Sequence, residues 1–136
     1  MKRLSILSTI VLLFFVATVC WSAETNDTEG REKEAFYLRT GQDLVELCSI
    51  DKEHPLYEKG IAFCYGYVTG AKSFYGAIEP SPKVPKIICS DHVIPRAEMV
   101  QVFLDWAKST PRHLTEKPID CLVRAAVDRW PCAKDK

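Results

Sequence analysis

The chain has 136 residues, with 18 Lys and Arg against 18 Asp and Glu, and 47% of its residues are hydrophobic. This length allows one small domain with its own core. The balanced charge excludes a protein that binds nucleic acid through a strongly basic surface. We therefore expect no nucleic acid among its partners.

The N-terminus, residues 1–23, has the pattern of a secretory signal peptide. Lys2 and Arg3 precede an apolar run from 4 to 19, and the small residue Ala23 follows. The run is shorter than the roughly 20 residues of a membrane-spanning helix, so we expect cleavage and export, with no membrane contact beyond the leader. A lipid-anchored leader and an uncleaved anchor are the minor alternatives.

A polar segment separates the leader from the predicted domain. Residues 24–35 are polar and lack large apolar side chains, which predicts a mobile tail. The ordered domain is predicted to span 36–132, and 133–136 to form a short polar tail.

The domain is predicted to be all-α, a compact bundle of about four helices, because apolar residues recur every three or four positions. The predicted helices are 40–51, 56–78, 95–109 and 115–130. Thr40 and Thr115 are the predicted caps, and Pro95 and Pro118 suit first turns. No alternation of period two indicates a strand.

The second predicted helix combines a wide apolar stripe with glycines. We expect a wide buried stripe of Phe63, Tyr67, Ala71, Phe74, Tyr75 and Ile78, with Cys64 and Val68 beside them. Gly66 and Gly70 lie on one face, and each costs about 1 kcal/mol relative to alanine. We expect close approach of a neighbouring helix, from this chain or a second subunit, to offset that cost. A kink or break near Gly70 is the alternative.

Export to an oxidising compartment predicts disulfide bonds. The third and fourth helices are joined by a short link and should run antiparallel, which brings Cys89 to Cys132. Cys48, near the end of the first helix, can reach Cys64 in the early turns of the second. Cys121 is left over and is predicted to be a buried free thiol, with an intermolecular bridge as the alternative.

No group of residues predicts catalysis, a cofactor or a metal site. Cys64 lies in an apolar stripe without a local hydrolase signature, which favours a structural sulfur. Cys89 and His92 form a C-x-x-H fragment, and a single fragment is a weak zinc signal. His54 and His113 lie in polar connections. We therefore expect a protein that is not an enzyme.

Several stretches together resemble a known family. They are TGQDLVELC at 40–48, FCYGYVTGA at 63–71 and CLVRAAVDRWPC at 121–132, with a cysteine before the third helix. Over 36–132 this pattern is similar to the immunity proteins that protect bacteria from type VI secretion amidase effectors, the Rap/Tai-type periplasmic immunity proteins.

The resemblance implies a periplasmic, all-helical, disulfide-bonded protein that is often a homodimer. It also implies that the protein binds a peptidoglycan-cleaving amidase and occludes its active site without performing chemistry. The competing hypothesis is a general periplasmic helical protein, such as a stress chaperone, which would bind unfolded clients weakly and expose apolar surface on acidification.

The segment 79–88 is the candidate contact with such a partner. Its prolines predict an extended surface loop, and prolines lower the entropic cost of ordering a loop on binding. We predict that the partner-binding residues are Pro80, Ser81, Pro82, Lys83, Val84 and Pro85. A plain connector between helices is an equally good interpretation.

Overall fold

The structure is a computed structural model that describes residues 30, 34 and 36–133. The chain divides after residue 35 into two units, and the second unit, Phe36–Lys136, contains the helical domain. The predicted leader, nearly all of the predicted tail at 24–35 and residues 134–136 lie outside the described residues.

Residues 36–133 form four α-helices and one 3-10 turn. They are α1 (Gly41–Cys48), α2 (Tyr57–Ile78), α3 (Arg96–Ser109), the 3-10 turn Pro111–His113 and α4 (Pro118–Arg129). No strand occurs in this part of the chain, where one isolated bridge joins Ile88 to Pro131. Together with two disulfide bonds, this confirms the predicted all-α, disulfide-stapled class. Within the described residues, no helix has the length and apolar character to cross a membrane.

Helix α1 begins at the predicted cap. The N–H of Asp43 donates to Thr40 Oγ1 (3.3 Å), and Asp43 Oδ2 accepts from the N–H of Thr40 (2.9 Å) and of Arg39 (2.8 Å). These reciprocal bonds satisfy N–H groups that a helix start leaves without partners. The helix ends at Cys48, before the predicted Asp51, because the hydroxyl and N–H of Ser49 both bond the carbonyl of Val45.

Helix α4 begins differently from the prediction. Pro118 is its first residue and Lys117 precedes it in an extended conformation, so the predicted cap at Thr115 is wrong. Thr115 instead lies in a turn whose backbone carbonyls accept hydrogen bonds from the first N–H groups of α1. The N–H of Gly41 donates to the Glu116 carbonyl (2.8 Å), and the next N–H along α1 donates to the Leu114 carbonyl (3.0 Å).

The core lies between α1 and the other three helices. Helix α1 packs against α2, α3 and α4, and α3 also packs against α2 and α4. The largest fully buried side chains are Phe103, Leu44, Val68, Cys64 and Cys121. Every helix except the short 3-10 turn therefore contributes to one apolar cluster.

Helix α2 buries only part of the predicted stripe: Cys64 and Val68 face the core as expected, and Phe63 and Phe74 do not. Its buried residues are Gly60, Cys64 and Val68, whereas Phe63 is 40% exposed and Phe74 68% exposed. The other members of the predicted stripe are half-buried: Tyr67, Ala71, Tyr75 and Ile78. The bond between Cys64 and α1 holds this orientation, and residues about 100° away around the helix remain outside.

Candidate partner-binding surfaces

Two disulfide bonds link α1 to α2 and the segment before α3 to the residues after α4. Cys48 is bonded to Cys64, with 5.2 Å between their Cα atoms, and Cys89 to Cys132, with 4.9 Å. These are the pairs predicted from the sequence. A sulfur in a disulfide bond is not a thiolate, so the Cys64 of this structure is not a catalytic nucleophile.

Cys121 is the free cysteine of the described residues, and it is buried, as predicted. Its thiol donates a hydrogen bond to the carbonyl of His113 (3.2 Å). Burial, with the nearby charge of Glu116, raises the pKa of the Cys121 thiol. Its sulfur lies so close to Gly41 that a β-carbon at that residue would overlap it. This cysteine packs the helices and is poorly suited to react.

The histidines have local partners. His113 Nδ1 lies 2.6 Å from Glu116 Oε1, and the His113 ring stacks on Trp106. His54 Nδ1 accepts from the N–H of Leu56 (3.1 Å). The described part of the chain contains no group of three or more residues placed to hold a metal ion.

His92 connects the segment before α3 to the first turn of that helix. Its Nδ1 lies 2.8 Å from Asp91 Oδ1 and its Nε2 lies 3.1 Å from Glu98 Oε2. Asp91, and then Glu98, raise the pKa of the His92 imidazole. The ring also meets Trp130 edge-on, at 6.5 Å between centroids. No sequence motif indicated this contact.

The predicted partner-binding residues lie in the connection between α2 and α3, which we call the proline loop (residues 79–88). Its three prolines and Lys83 are exposed, while Ser81 and Val84 are half-buried. The loop is not extended throughout. The N–H of Ser81 donates to the Ile78 carbonyl and the N–H of Val84 to the Ser81 carbonyl, both at 3.0 Å, so two successive turns form its tip.

The base of the proline loop is fixed by side chains. The hydroxyl oxygen of Tyr75 accepts from the N–H groups of Ile87 (3.1 Å) and Ile88 (3.3 Å). Lys86 Nζ lies 3.0 Å from Glu79 Oε1, and this hydrogen bond raises the pKa of Lys86. Sequence reasoning placed Tyr75 in the core stripe and missed this role, because helical spacing says nothing about where a hydroxyl group points.

The solvent side of α2 is made of small residues. This α2 outer face consists of Ala62, Gly66, Thr69, Gly70, Ser73 and Ala77. The exposed rings of Phe63 and Phe74 lie along one edge of it. From Gly60 to Ile78 the only charged residue is Lys72, whose Nζ donates to the carbonyl of Ile94 (2.8 Å).

The glycines of the α2 outer face have open space around them. Apart from the flanking residues and the backbone of α2 itself, no atom among the described residues lies within 4 Å of a β-carbon placed on Gly66 or Gly70. Among the described residues, no helix makes the predicted close approach to these glycines. The alternative of a broken helix is wrong, because α2 is continuous from Tyr57 to Ile78.

A shallow groove of ≈ 710 Å³ runs along the α2 outer face. Arg96, at the start of α3, lies over the ring of Tyr65 at 5.0 Å and forms one wall. Glu58 lies at the N-terminal end of the same groove. The described residues thus include two exposed features beside α2, the groove along the α2 outer face and the proline loop.

Comparison with known proteins identifies the family. The model of the Rap1a immunity proteins matches residues 40–132, well over half of the 136 residues. No curated protein and no solved structure matches the chain. An immunity family implies binding of a partner effector protein, and its members are generally non-catalytic. The chain therefore belongs to the Rap1a immunity protein family.

Proposed function

We propose that this protein is a non-catalytic periplasmic immunity protein that binds a type VI secreted peptidoglycan amidase and covers its active site. The membership of the Rap1a immunity proteins carries this proposal, because an immunity protein acts on an effector. The amidase is proposed from the resemblance of the sequence to the Rap/Tai-type proteins.

The periplasm is proposed from two features of the chain. The first residues have the pattern of a secretory leader. The cysteine pairs Cys48–Cys64 and Cys89–Cys132 suit an oxidising compartment, where disulfides form and persist. An effector that cleaves peptidoglycan acts in that same compartment, so inhibitor and enzyme would meet there.

The proline loop is the surface that we propose for the amidase. It connects α2 to α3 with its prolines and Lys83 exposed, and hydrogen bonds at its base hold it, so its ordering on binding costs little. An exposed loop fits a concave cleft better than a helix side does. Binding in the cleft would exclude substrate without any reaction of the immunity protein.

The α2 outer face is the surface that we propose for a second copy of the chain. Small residues allow helix backbones to approach closely, and a helix face without charges is unusual for a surface that remains in water. In an antiparallel pair centred between Gly66 and Gly70, position 74 of one copy lies opposite position 62 of the other. The exposed ring of Phe74 would then cover Ala62 of its partner, which gives the self-complementary contact of a two-fold dimer.

The function is tested by capture from the host. The tagged mature protein, residues 24–136, is incubated with periplasmic and secreted fractions of cells that express their secretion system, and bound proteins are identified by mass spectrometry. We expect one amidase in near-equimolar amount, and complete inhibition of its peptidoglycan cleavage once the immunity protein equals the enzyme in concentration.

Two results would contradict the proposal. A broad set of unfolded clients would favour the stress chaperone, and absence of any amidase would leave a scaffold without an effector. As a test of the surface, Ser81 to Val84 are replaced by glycine and serine. Unchanged inhibition by that variant would exclude the loop tip as the contact.

A further inference from the structure

The two lysines of the proline loop have different surroundings. Lys86, at the base, pairs with Glu79 at 3.0 Å. Lys83, at the tip, is exposed and forms no ion pair within the described residues. From Pro80 to Pro85 it is the only charged residue. One lysine therefore closes the loop, and the other is available to a partner.

We propose that the proline loop is a preformed recognition element, in which Tyr75 is the positioning residue and Lys83 pairs with a carboxylate group inside the partner's cleft. This inference rests on the proposed function and names the partner's chemistry. An ammonium group that enters a cleft loses its hydration, and that loss is compensated only if an opposite charge is present there. A loop tip with one lysine between prolines thus selects an acidic cleft.

Tyr75 does not contact the partner in this proposal; it positions the loop that carries Lys83. Its single hydroxyl oxygen accepts hydrogen bonds from two consecutive N–H groups, at Ile87 and Ile88. These bonds hold the C-terminal part of the loop against the last turns of α2. The next residue, Cys89, donates its N–H to the Trp130 carbonyl at 2.9 Å and is bonded to Cys132. The C-terminal side of the loop is therefore held at successive residues, which limits the positions open to Lys83.

The charge is tested by calorimetry with the amidase recovered by the wild-type protein. We expect Lys83→Gln to weaken binding roughly tenfold, Lys83→Glu to weaken it further, and both to reduce the dependence of affinity on salt. Lys52→Glu is the matched control. It makes the same charge change in an exposed residue before α2, and that helix of 22 residues is about 33 Å long.

The positioning role is tested by Tyr75→Phe. We expect faster hydrogen exchange at the Ile87 and Ile88 amides of the free protein, and an affinity lower by roughly threefold to tenfold. If Tyr75 acts through Lys83, the loss caused by Tyr75→Phe should be smaller in a Lys83→Gln background. A merely structural role would give the same loss in both backgrounds.

The outcomes separate this inference from the proposed function. If the wild-type protein recovers no amidase, the proposed function fails and the assignment of Lys83 fails with it. If an amidase binds equally well to wild type and Lys83→Glu, the immunity function stands and the acidic cleft is excluded. If amide exchange at residues 87 and 88 is unchanged by Tyr75→Phe, the positioning role of Tyr75 is excluded.

Discussion

The glycine at the start of α1 and the two glycines on the α2 outer face have opposite surroundings. A β-carbon on Gly41 would overlap the sulfur of Cys121 and lie 3.4 Å from the Cα of Leu114. A β-carbon on Gly66 or Gly70 would meet no atom of the described residues within 4 Å beyond the helix's own backbone and the flanking residues. Contacts within the chain thus explain why residue 41 is glycine. They leave the other two as an unexplained cost of about 1 kcal/mol each, unless a partner packs there.

The largest effect is expected where the packing is tightest. Gly41→Ala should lower the free energy of unfolding by about 2–3 kcal/mol, because the new methyl group has no room beside Cys121. Urea unfolding of the protein with its disulfides intact measures this change.

The Cys121→Ala variant is the background that identifies the cause. Removal of the sulfur should relieve part of the overlap, so Gly41→Ala should cost less in this background than in wild type. Equal costs in both backgrounds would show that the sulfur contact is not the reason for glycine.

The open glycines should respond in the opposite direction. Gly66→Ala with Gly70→Ala should raise the free energy of unfolding of a dilute, monomeric sample by about 1–2 kcal/mol, since alanine favours a helix and nothing obstructs it. If the α2 outer face joins two copies, the same pair of changes should weaken association at least roughly tenfold, because two methyl groups would separate the helices. Sedimentation equilibrium measures the association.

Gly76→Ala is the matched control for this pair. Gly76 also has open space, but it lies about 100° around the helix from the direction between Gly66 and Gly70. It should give a similar stabilisation without affecting association. Unchanged association in the Gly66 and Gly70 variant would exclude these glycines from the contact between copies.

A smaller effect is expected from the cap beside Gly41. Thr40→Ala should cost about 1 kcal/mol, because the N–H of Asp43 loses its acceptor. If Thr40→Ala cost as much as Gly41→Ala, the start of α1 would be sensitive to any substitution. The cost of Gly41→Ala could then not be assigned to the contact with Cys121.

The same cap predicts that the free energy of unfolding depends on pH in the acidic range. Partial burial alone would raise the pKa of Asp43, but the N–H groups of Arg39 and Thr40 outweigh it and the pKa is lowered. The stabilisation from Asp43 is therefore present above about pH 4, the ordinary aspartate pKa, and is lost as the pH falls through the lowered pKa of the folded state. Unfolding measured from pH 6 downward, roughly to pH 2.5, should show this slope in wild type, and a reduced slope in Asp43→Asn.

The smallest effect on stability is expected at His92. Its imidazole contacts Glu98 in the first turn of α3, the helix whose Arg96 lines the groove. The pKa of His92 is raised, so its stabilisation is complete below about pH 6.5 and is lost as the pH rises through the raised value. In an NMR titration, Glu98→Gln should lower the pKa of His92 toward its ordinary value. An identical titration curve in the variant would show that Glu98 does not hold the imidazolium.

Much of the local structure could be predicted because local residues decide it. The cap at Thr40 and the proline at the start of α4 act within a few residues of their position. The disulfide pairs followed from antiparallel neighbours. The cap at Thr115 was predicted wrongly because its turn is held by α1, a segment about 75 residues away in the sequence, through bonds that no local pattern indicates.

The candidate site was only partly visible in the sequence. The prolines of residues 79–88 predicted a loop. Residue spacing could not predict that the Tyr75 hydroxyl bonds the base of the loop, or that Lys86 has an ion-pair partner and Lys83 has none among the described residues. The glycines at 66 and 70 marked a face of α2. Whether that face packed inside the chain depended on the placement of α1 and α3, which periodicity does not give.

By itself the sequence determined the helical class, the approximate helices and the cysteine pairs, because hydrophobic period, capping residues and prolines act over a few residues. Only the tertiary structure decided which side of α2 is buried. The apolar stripe of that helix is wide enough to allow either Phe63 and Phe74 or Cys64 and Val68 to face inward. The bond from Cys64 to α1 and the packing of α3 select the second arrangement, and they leave the small, uncharged side of α2 open to a partner.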